Sequence, residues 1–395
     1  MFSDLSVQIK SLAVFRRLRE NSVFSALEHL IYSIDNLDTA IDCYSNFVFE
    51  LHNAGETNLS KFIRDLVNND ENIYIRTIGK GDEVSSSLKN DVSNELAILQ
   101  RLANLTPSDF HKMLKFNGYL PSFDNSKIDI AKQYKDRVCN ISRYGYGIYA
   151  KYHMFCIDEN NCIVPVRYPD PVKLSDLSGY KREKKIIIDN TRLLLENKPS
   201  ANILLTGDAG TGKSSTVKAV VNELKEDGLR ILQVRKDQLH AIPAILDELT
   251  VNPLKFIIFI DDLSFGKDED NYSALKAILE GSVSAKSHNV VIYATSNRRH
   301  LVRESFADRD GDDIHFNDTV QEVISLSERF GIHITFNRPN KTAYLDIVHN
   351  LLDSANVEYD VTKVDIEAES FALTRGNRSA RAAKQFADSY IAKSL

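Results

Sequence analysis

From residue 207 the chain reads Gly207-Asp208-Ala209-Gly210-Thr211-Gly212-Lys213-Ser214, with Ser215 next. The spacing is GxxxxGK[ST], and its chemistry is the holding of a polyphosphate. Glycines let a backbone turn wrap closely and aim successive N–H groups at phosphate oxygens. Lys213 adds a mobile cation for the β- and γ-phosphates, and the Ser214 hydroxyl suits Mg²⁺. Such a pattern counts only between a strand and a helix. Here Asn202–Thr206 is an apolar strand and Lys213–Leu224 reads as a helix. The helix would add the positive end of its dipole to the same site. All of Gly207, Asp208, Ala209, Gly210, Thr211, Gly212, Lys213, Ser214 and Ser215 are therefore placed against the phosphates, and Lys213 is expected to lie exposed without them.

Two further strands end in groups that could act on a bound triphosphate. Phe256-Ile257-Ile258-Phe259-Ile260 runs into Asp261-Asp262. A strand of that kind delivers its carboxylates to the carboxyl edge of an open sheet, where ligands bind. Asp261 is assigned to Mg²⁺, and Asp262 to polarising the attacking water as general base. Val290-Val291-Ile292-Tyr293-Ala294-Thr295-Ser296 is followed by Asn297. If this strand lies between the two motif strands, Asn297 reaches the γ-phosphate and orients water.

The elements around these residues alternate. Strands are expected at Asn202–Thr206, Arg230–Val234, Lys255–Ile260, Val290–Thr295 and Ile332–Phe336. Helices are expected at Lys213–Leu224, Leu239–Leu249, Tyr272–Leu279 and Thr319–Arg329. Short continuous apolar strands separated by helices imply a parallel sheet covered on both faces. After Pro339 the pattern is only helical, at Lys341–Ser354 and Ser379–Ala392.

The first part of the chain differs. Residues 1–145 read as a mostly helical N-terminal domain. Val92–Leu105 carries apolar residues at helical spacing. Thr106-Pro107-Ser108-Asp109 reads as a helix start. Residues 146–171 read as a β-hairpin, Tyr146–Ile157 with Cys162–Arg167, and a Pro-containing linker. Cys156 and Cys162 would face each other across it. The α/β nucleotide-binding domain is then 172–338 and a helical lid 339–395.

Composition excludes several classes. The chain has 395 residues, 43% hydrophobic and 26% charged, the usage of a globular protein rather than a disordered one. Its net charge of -6 gives no bulk attraction to nucleic acid or anionic membrane. No apolar run reaches the roughly 18 residues of a membrane span, and the N-terminus lacks a signal-peptide core. Four scattered cysteines without a CxxC pair read as reduced thiols, and with no export signal the expected location is cytoplasmic.

The order GDAGTGKS, FIIFIDD, YATSN, then Ser327-Glu328-Arg329-Phe330-Gly331, then Arg375-Gly376-Asn377-Arg378-Ser379-Ala380-Arg381 resembles the AAA+ ATPases. The first two correspond to their Walker A and Walker B motifs. The segment Leu174-Ser175-Asp176-Leu177-Ser178-Gly179-Tyr180 is similar to their stretch ahead of Walker A, whose backbone often contacts adenine. Together these cover Pro169 to Leu395. IIFIDDLSF, VIYATSNRRH and ISLSERFG look, more narrowly, like a bacterial group of AAA+ ATP-binding proteins known as a domain of unknown function. The resemblance implies a five-stranded sheet ordered 5-1-4-3-2, a small helical lid, ATP with Mg²⁺, and a homo-oligomeric ring or filament as the working form. It also implies that Asn297 is sensor 1, Arg329 an arginine finger, and either Arg378 or Arg381 sensor 2. Spacing does not separate those last two.

The activity implied is ATP hydrolysis that remodels or loads a protein or nucleic-acid target, with no membrane partner. Asp262 stands where many AAA+ proteins carry Glu, as it does in loader and initiator relatives. Arg235-Lys236-Asp237-Gln238-Leu239-His240 replaces the aromatic pore loop of threading enzymes, which argues against an unfoldase. Phe265-Gly266, just after Walker B, reads as a turn. Arg298-Arg299-His300 is a small basic spot that a DNA loader could use. The alternative is a nucleotide-gated scaffold or switch with little turnover. A P-loop kinase fits less well, because Lys267-Asp268-Glu269-Asp270 is mostly acidic where such kinases carry arginines.

Overall fold

Helix caps recur through the N-terminal part of the chain. The computed structural model describes residues 2–263, 275–276, 278–279, 288–297 and 328–394. Among these, the side chains of Asn21, Asn36, Asn58, Asn72, Ser85, Thr106 and Asp129 each accept a hydrogen bond from the first turn of the helix that follows. Such caps satisfy N–H groups that have no partner within the helix. At Thr106 the bond is reciprocal, since Asp109 accepts from the Thr106 N–H. The resulting helices are α1 (Phe2–Lys10), α2 (Ser22–Tyr32), α3 (Leu37–Asn53), α4 (Leu59–Asn68), α5 (Ile73–Gly79), α6 (Ser86–Ala103), α7 (Pro107–Leu114) and α8 (Ile130–Cys139), with single turns α9 (Ile141–Tyr144) and α10 (Ile148–Lys151). They enclose a core that includes Phe15, Leu30, Tyr44, Phe47 and Phe110. Together they form one compact unit, Met1–Lys151, and Tyr152–Leu395 forms the other.

The second unit is α/β. It opens with strands β1 (Met154–Ile157) and β2 (Ile163–Pro165), then helix α11 (Lys181–Leu195) and β3 (Ile203–Gly207). Next come α12 (Lys213–Leu224), β4 (Leu229–Val234), α13 (Ile242–Thr250), β5 (Lys255–Ile260), β6 (Val290–Ser296) and β7 (Ile332–Phe336). A 3₁₀ segment, Lys236–Ala241, precedes α13, so the helix expected at Leu239–Leu249 begins later as a true α-helix. The sheet has seven strands in the order β2-β1-β4-β5-β6-β3-β7. Every neighbouring pair is parallel except β1 with β2.

This corrects the expected five strands. The hairpin joins the sheet: Met154 pairs with Ile231, and the Ile231 N–H donates to the His153 carbonyl. It thereby covers the ladder edge that β4 would otherwise present to solvent. Counted from β3, the remaining five strands follow the order 5-1-4-3-2. Two smaller corrections concern the hairpin. Ile148–Lys151 is a helical turn rather than strand, and Cys156 pairs with Val164, so Cys162 falls in the turn and does not face it.

The strand cores are dry. All of β3 and β5 is buried, which is why these segments read as continuous apolar runs. Because β6 lies between β3 and β5, the carboxyl ends of the three motif strands are adjacent. After Asn340, which caps it, α14 (Lys341–Ser354) packs with α15 (Val361–Thr374) and α16 (Ala380–Ser394) around Tyr344, Val348, Leu352, Val364, Ala368, Ala383 and Phe386. The helix α15 has no counterpart in the sequence-based expectations. Its buried face is mainly small, with Val364, Ala368 and Ala372, while Val361, Ile366 and Leu373 point outward. That arrangement defeats an apolar-periodicity reading.

Among the described residues no helix is long and apolar enough to cross a membrane. Half of the expected helix Tyr272–Leu279 and most of the expected helix Thr319–Arg329 lie outside the described residues. Phe265-Gly266, Lys267-Asp268-Glu269-Asp270, Arg298-Arg299-His300 and Ser327 lie wholly outside them.

Candidate functional site

The turn after β3 is built on backbone that other residues would not allow. Gly207 has φ +135°, and a Cβ there would sit 2.2 Å from the Phe336 carbonyl oxygen of β7. Gly210 has φ +79°, and its Cβ would come 3.2 Å from the Cβ of Arg381. The turn is therefore pressed between the sheet edge and the start of α16, where the Arg381 N–H donates to the Gly210 carbonyl at 3.1 Å. Inside it, the Thr211 hydroxyl donates to the Asp208 carbonyl. Ala209 is exposed, Ser215 is half-buried, and α12 begins at Lys213 with no side-chain cap on its free N–H groups.

Lys213 corrects one expectation. It is only 5% exposed. Its ammonium donates to the Gly207 carbonyl at 2.7 Å, the Asp208 carbonyl at 2.8 Å and Asn297 Oδ1 at 3.0 Å. Two turn carbonyls and the Asn297 side-chain oxygen thus occupy the three donor directions of the ammonium, which is why the side chain folds inward rather than into solvent. Burial lowers the Lys213 pKa, and the charges of Asp208, Asp261 and Asp262 oppose that fall.

From Asn297 the bonds continue across the edge. Its amide nitrogen donates to Asp262 Oδ1 at 2.7 Å. The Asp262 N–H donates to the Thr295 hydroxyl, which itself donates to Asp261 Oδ1 at 2.6 Å. The same Oδ1 accepts from the Ser214 hydroxyl at 2.6 Å. Lys213, Ser214, Asp261, Asp262, Thr295 and Asn297 thus form one connected polar cluster drawn from three strand ends. Asp262 is exposed and holds φ +54°, a left-handed conformation that costs energy for a residue with a Cβ. Its Oδ2 lies 3.9 Å from Lys236 Nζ, just past β4.

The hydroxyl and carboxylate of Ser214 and Asp261 are hard oxygen donors already in contact. A magnesium ion that keeps waters and takes phosphate oxygens needs no larger protein cage. The pair fits Mg²⁺ on that chemistry. Among the described residues no group of three or more His, Cys, Asp or Glu is assembled as a metal cage.

The arginines separate. Arg381 stands at the turn after β3. Arg378 instead makes a two-pronged pair with Glu369 on α15, Nε to Oε1 at 2.9 Å and Nη2 to Oε2 at 2.7 Å, within the lid. Arg329 is half-buried just ahead of β7. Since β7 runs parallel to β3, it lies at the amino edge of the sheet, away from the cluster in the same chain. Three residues of the site were given no role by motif reading: Thr295, Lys236, and Arg338, whose Nε lies 3.1 Å from Asp208 Oδ2. The YATSN run could have pointed to Thr295; nothing local marks the other two.

Elsewhere in the same unit is a cavity of about 780 Å³, with no residue of the turn among its lining. The segment Leu174–Gly179 lines one side, Lys181, Lys184 and Ile188 of α11 another, and Asn350, Leu351 and Ser354 of α14 the third. The Lys184 ammonium donates to the Leu177 carbonyl and holds the segment against α11. Tyr180, which follows this segment, contacts the end of β7. It packs on Phe336 and donates to the Asn337 carbonyl at 2.6 Å.

The chain belongs to the family described as "Protein of unknown function (DUF815)", which matches residues 150–394. It is also similar to a signal recognition particle protein of Rickettsia felis, at 31% identity over 115 residues. That stretch is 29% of this chain and 24% of the relative, so the chain spans about a quarter of the length of the curated protein it matches.

Proposed function

We propose that this DUF815-family protein binds Mg-ATP at the turn after β3 and hydrolyses it, as an AAA+-type ATPase. The observation that carries the reading is the connected cluster: Lys213 to Asn297 at 3.0 Å, Asn297 to Asp262 at 2.7 Å, Ser214 to Asp261 at 2.6 Å. It puts a cation, a hydroxyl–carboxylate pair, a carboxylate base and an orienting amide at the end of one helix. Phosphoryl transfer asks for that set, since its catalysis is mainly positioning and charge stabilisation.

In this reading Lys213 exchanges its turn carbonyls for β- and γ-phosphate oxygens. The N–H groups of the turn and of the first turn of α12 take the remaining phosphate oxygens. Ser214 and Asp261 hold Mg²⁺, which neutralises phosphate charge. Asp262 accepts a proton from the attacking water, and Asn297 fixes that water's position. The nucleoside is assigned to the backbone of Leu174–Gly179, as the resemblance to the AAA+ ATPases implies. Arg381 is the lid arginine that reaches the phosphates, because Arg378 is held by Glu369.

Arg329 lies at the amino edge of the sheet. If it contacts a γ-phosphate, the nucleotide belongs to a neighbouring copy, and the active form is a homo-oligomer. Hydrolysis then drives remodelling or loading of a macromolecular target. Steady-state ATP hydrolysis by the full chain tests the reading. Turnover should require Mg²⁺ and rise in specific rate with protein concentration. A nucleotide-gated scaffold would bind ATP and show negligible turnover at every concentration.

A further inference from the structure

The turn after β3 carries an acid at its second position, Asp208, and that is chemically awkward. A carboxylate beside bound phosphates repels them. It lies close to the centre of the site, since its own backbone carbonyl accepts from the Lys213 ammonium at 2.8 Å. The structure supplies a counter-charge from outside every motif. Arg338 Nε lies 3.1 Å from Asp208 Oδ2, with both side chains about half exposed. Arg338 follows the end of β7 by two residues and precedes Asn340, the cap of α14, by two. It therefore sits where the chain leaves the sheet for the lid.

We propose that Arg338 is a nucleotide-positioning residue: its guanidinium neutralises Asp208, so that the turn presents no net negative charge to a bound polyphosphate. The inference rests on the nucleotide-binding reading above and adds a residue to it. The physical basis is simple. A carboxylate a few ångströms from phosphate charge repels it appreciably even at the screened dielectric of a protein surface. A paired carboxylate does so far less. Guanidinium is suited to the task because it stays charged at all relevant pH and engages carboxylate oxygens directionally. The pair also spans the turn and the hinge of the lid, so that charge compensation and lid attachment meet at one side chain.

The two roles are separable by titrating ATP into the full chain and its variants by calorimetry. Arg338→Ala should bind ATP about tenfold more weakly, with a smaller loss for ADP, which carries less charge. Asp208→Asn should bind at least as tightly as the unmodified chain. The double variant Asp208→Asn with Arg338→Ala should return to within about threefold, because the charge to be compensated is gone. Arg338→Lys keeps the charge and should retain most of the affinity. The deficit of Arg338→Ala should also shrink as salt is raised, since screening weakens the repulsion. A double variant as weak as Arg338→Ala, or a deficit indifferent to salt, overturns the inference and makes Arg338 a direct ligand or a hinge tie. Wild-type affinity in Arg338→Ala overturns it as well. If the unmodified chain binds no ATP, the underlying nucleotide reading fails and this inference with it. Thermal unfolding of each variant confirms that the folded chain is what was titrated.

Discussion

Two regions of the chain use polar side chains with a different emphasis. In the helical unit, several of them are spent on backbone N–H groups. Glu95, 5% exposed, accepts from the N–H groups of Ala13, Val14 and Phe15 at 2.8, 3.1 and 2.9 Å. The capping residues Asn21, Asn36, Asn58 and Asn72 do the same at helix starts. At the carboxyl edge of the sheet, polar side chains bond mainly to one another, Lys213 to Asn297, Asn297 to Asp262 and Ser214 to Asp261, while Lys213 also donates to the Gly207 and Asp208 carbonyls. Bonds of the first kind complete the backbone and hold the fold. Under the proposed function, those of the second kind are the ones exchanged for ligand oxygens.

The comparison is sharpened most at Arg329, which lies at the amino edge of the sheet, away from the cluster. If Arg329 serves the nucleotide of a neighbouring copy, Arg329→Ala should bind ATP normally and lose about 10³–10⁵ in turnover, the range for an arginine supplied in trans. Mixing it with Asp262→Asn should restore part of the rate, since a mixed interface can pair an intact Asp262 with an intact Arg329. Full specific activity where light scattering reports only monomer contradicts the trans role.

A smaller loss is expected at the edge itself. Asp262→Asn keeps the size and the bond to Asn297 but removes the base, so turnover should fall by about 10²–10⁴ with Mg-ATP affinity intact. Should Asp261→Asn abolish turnover while Asp262→Asn does not, the two acids have exchanged roles.

The smallest effect belongs to the helical unit and acts on stability alone. Glu95→Gln sets an amide nitrogen against backbone donors and should cost about 1–3 kcal/mol in denaturant unfolding, leaving ATP affinity unchanged. A loss of ATP affinity with unchanged stability would break the division between the two regions.

Much of this was legible in the residues. The strands of the second unit stand where continuous apolar runs place them, because burial on both faces leaves no polar alternation to blur the ends. The turn and its acids were legible because each lies on a strand that announces itself. What escaped depends on distant neighbours. Lys236 and Arg338 gain their partners from sheet order, not from nearby sequence. Lys213 is buried because a turn carbonyl and Asn297 Oδ1, far apart in the chain, converge on it. The hairpin joins the sheet through a ladder with β4, a pairing that no local signal reports. And α15 hides because Val361, Ile366 and Leu373 face outward while its buried face is largely Ala368 and Ala372 beside Val364.

The most direct measurement is calorimetric titration of Mg-ATP into the full chain, Lys213→Ala and Lys213→Met. Methionine keeps most of the buried stem while removing the charge, which separates lost packing from a lost phosphate contact. ATP should bind the unmodified chain at one site, and both variants should lose at least about tenfold in affinity while remaining folded. Equal affinity in all three, or no binding to the unmodified chain, would contradict the assignment of the turn after β3 as a nucleotide site.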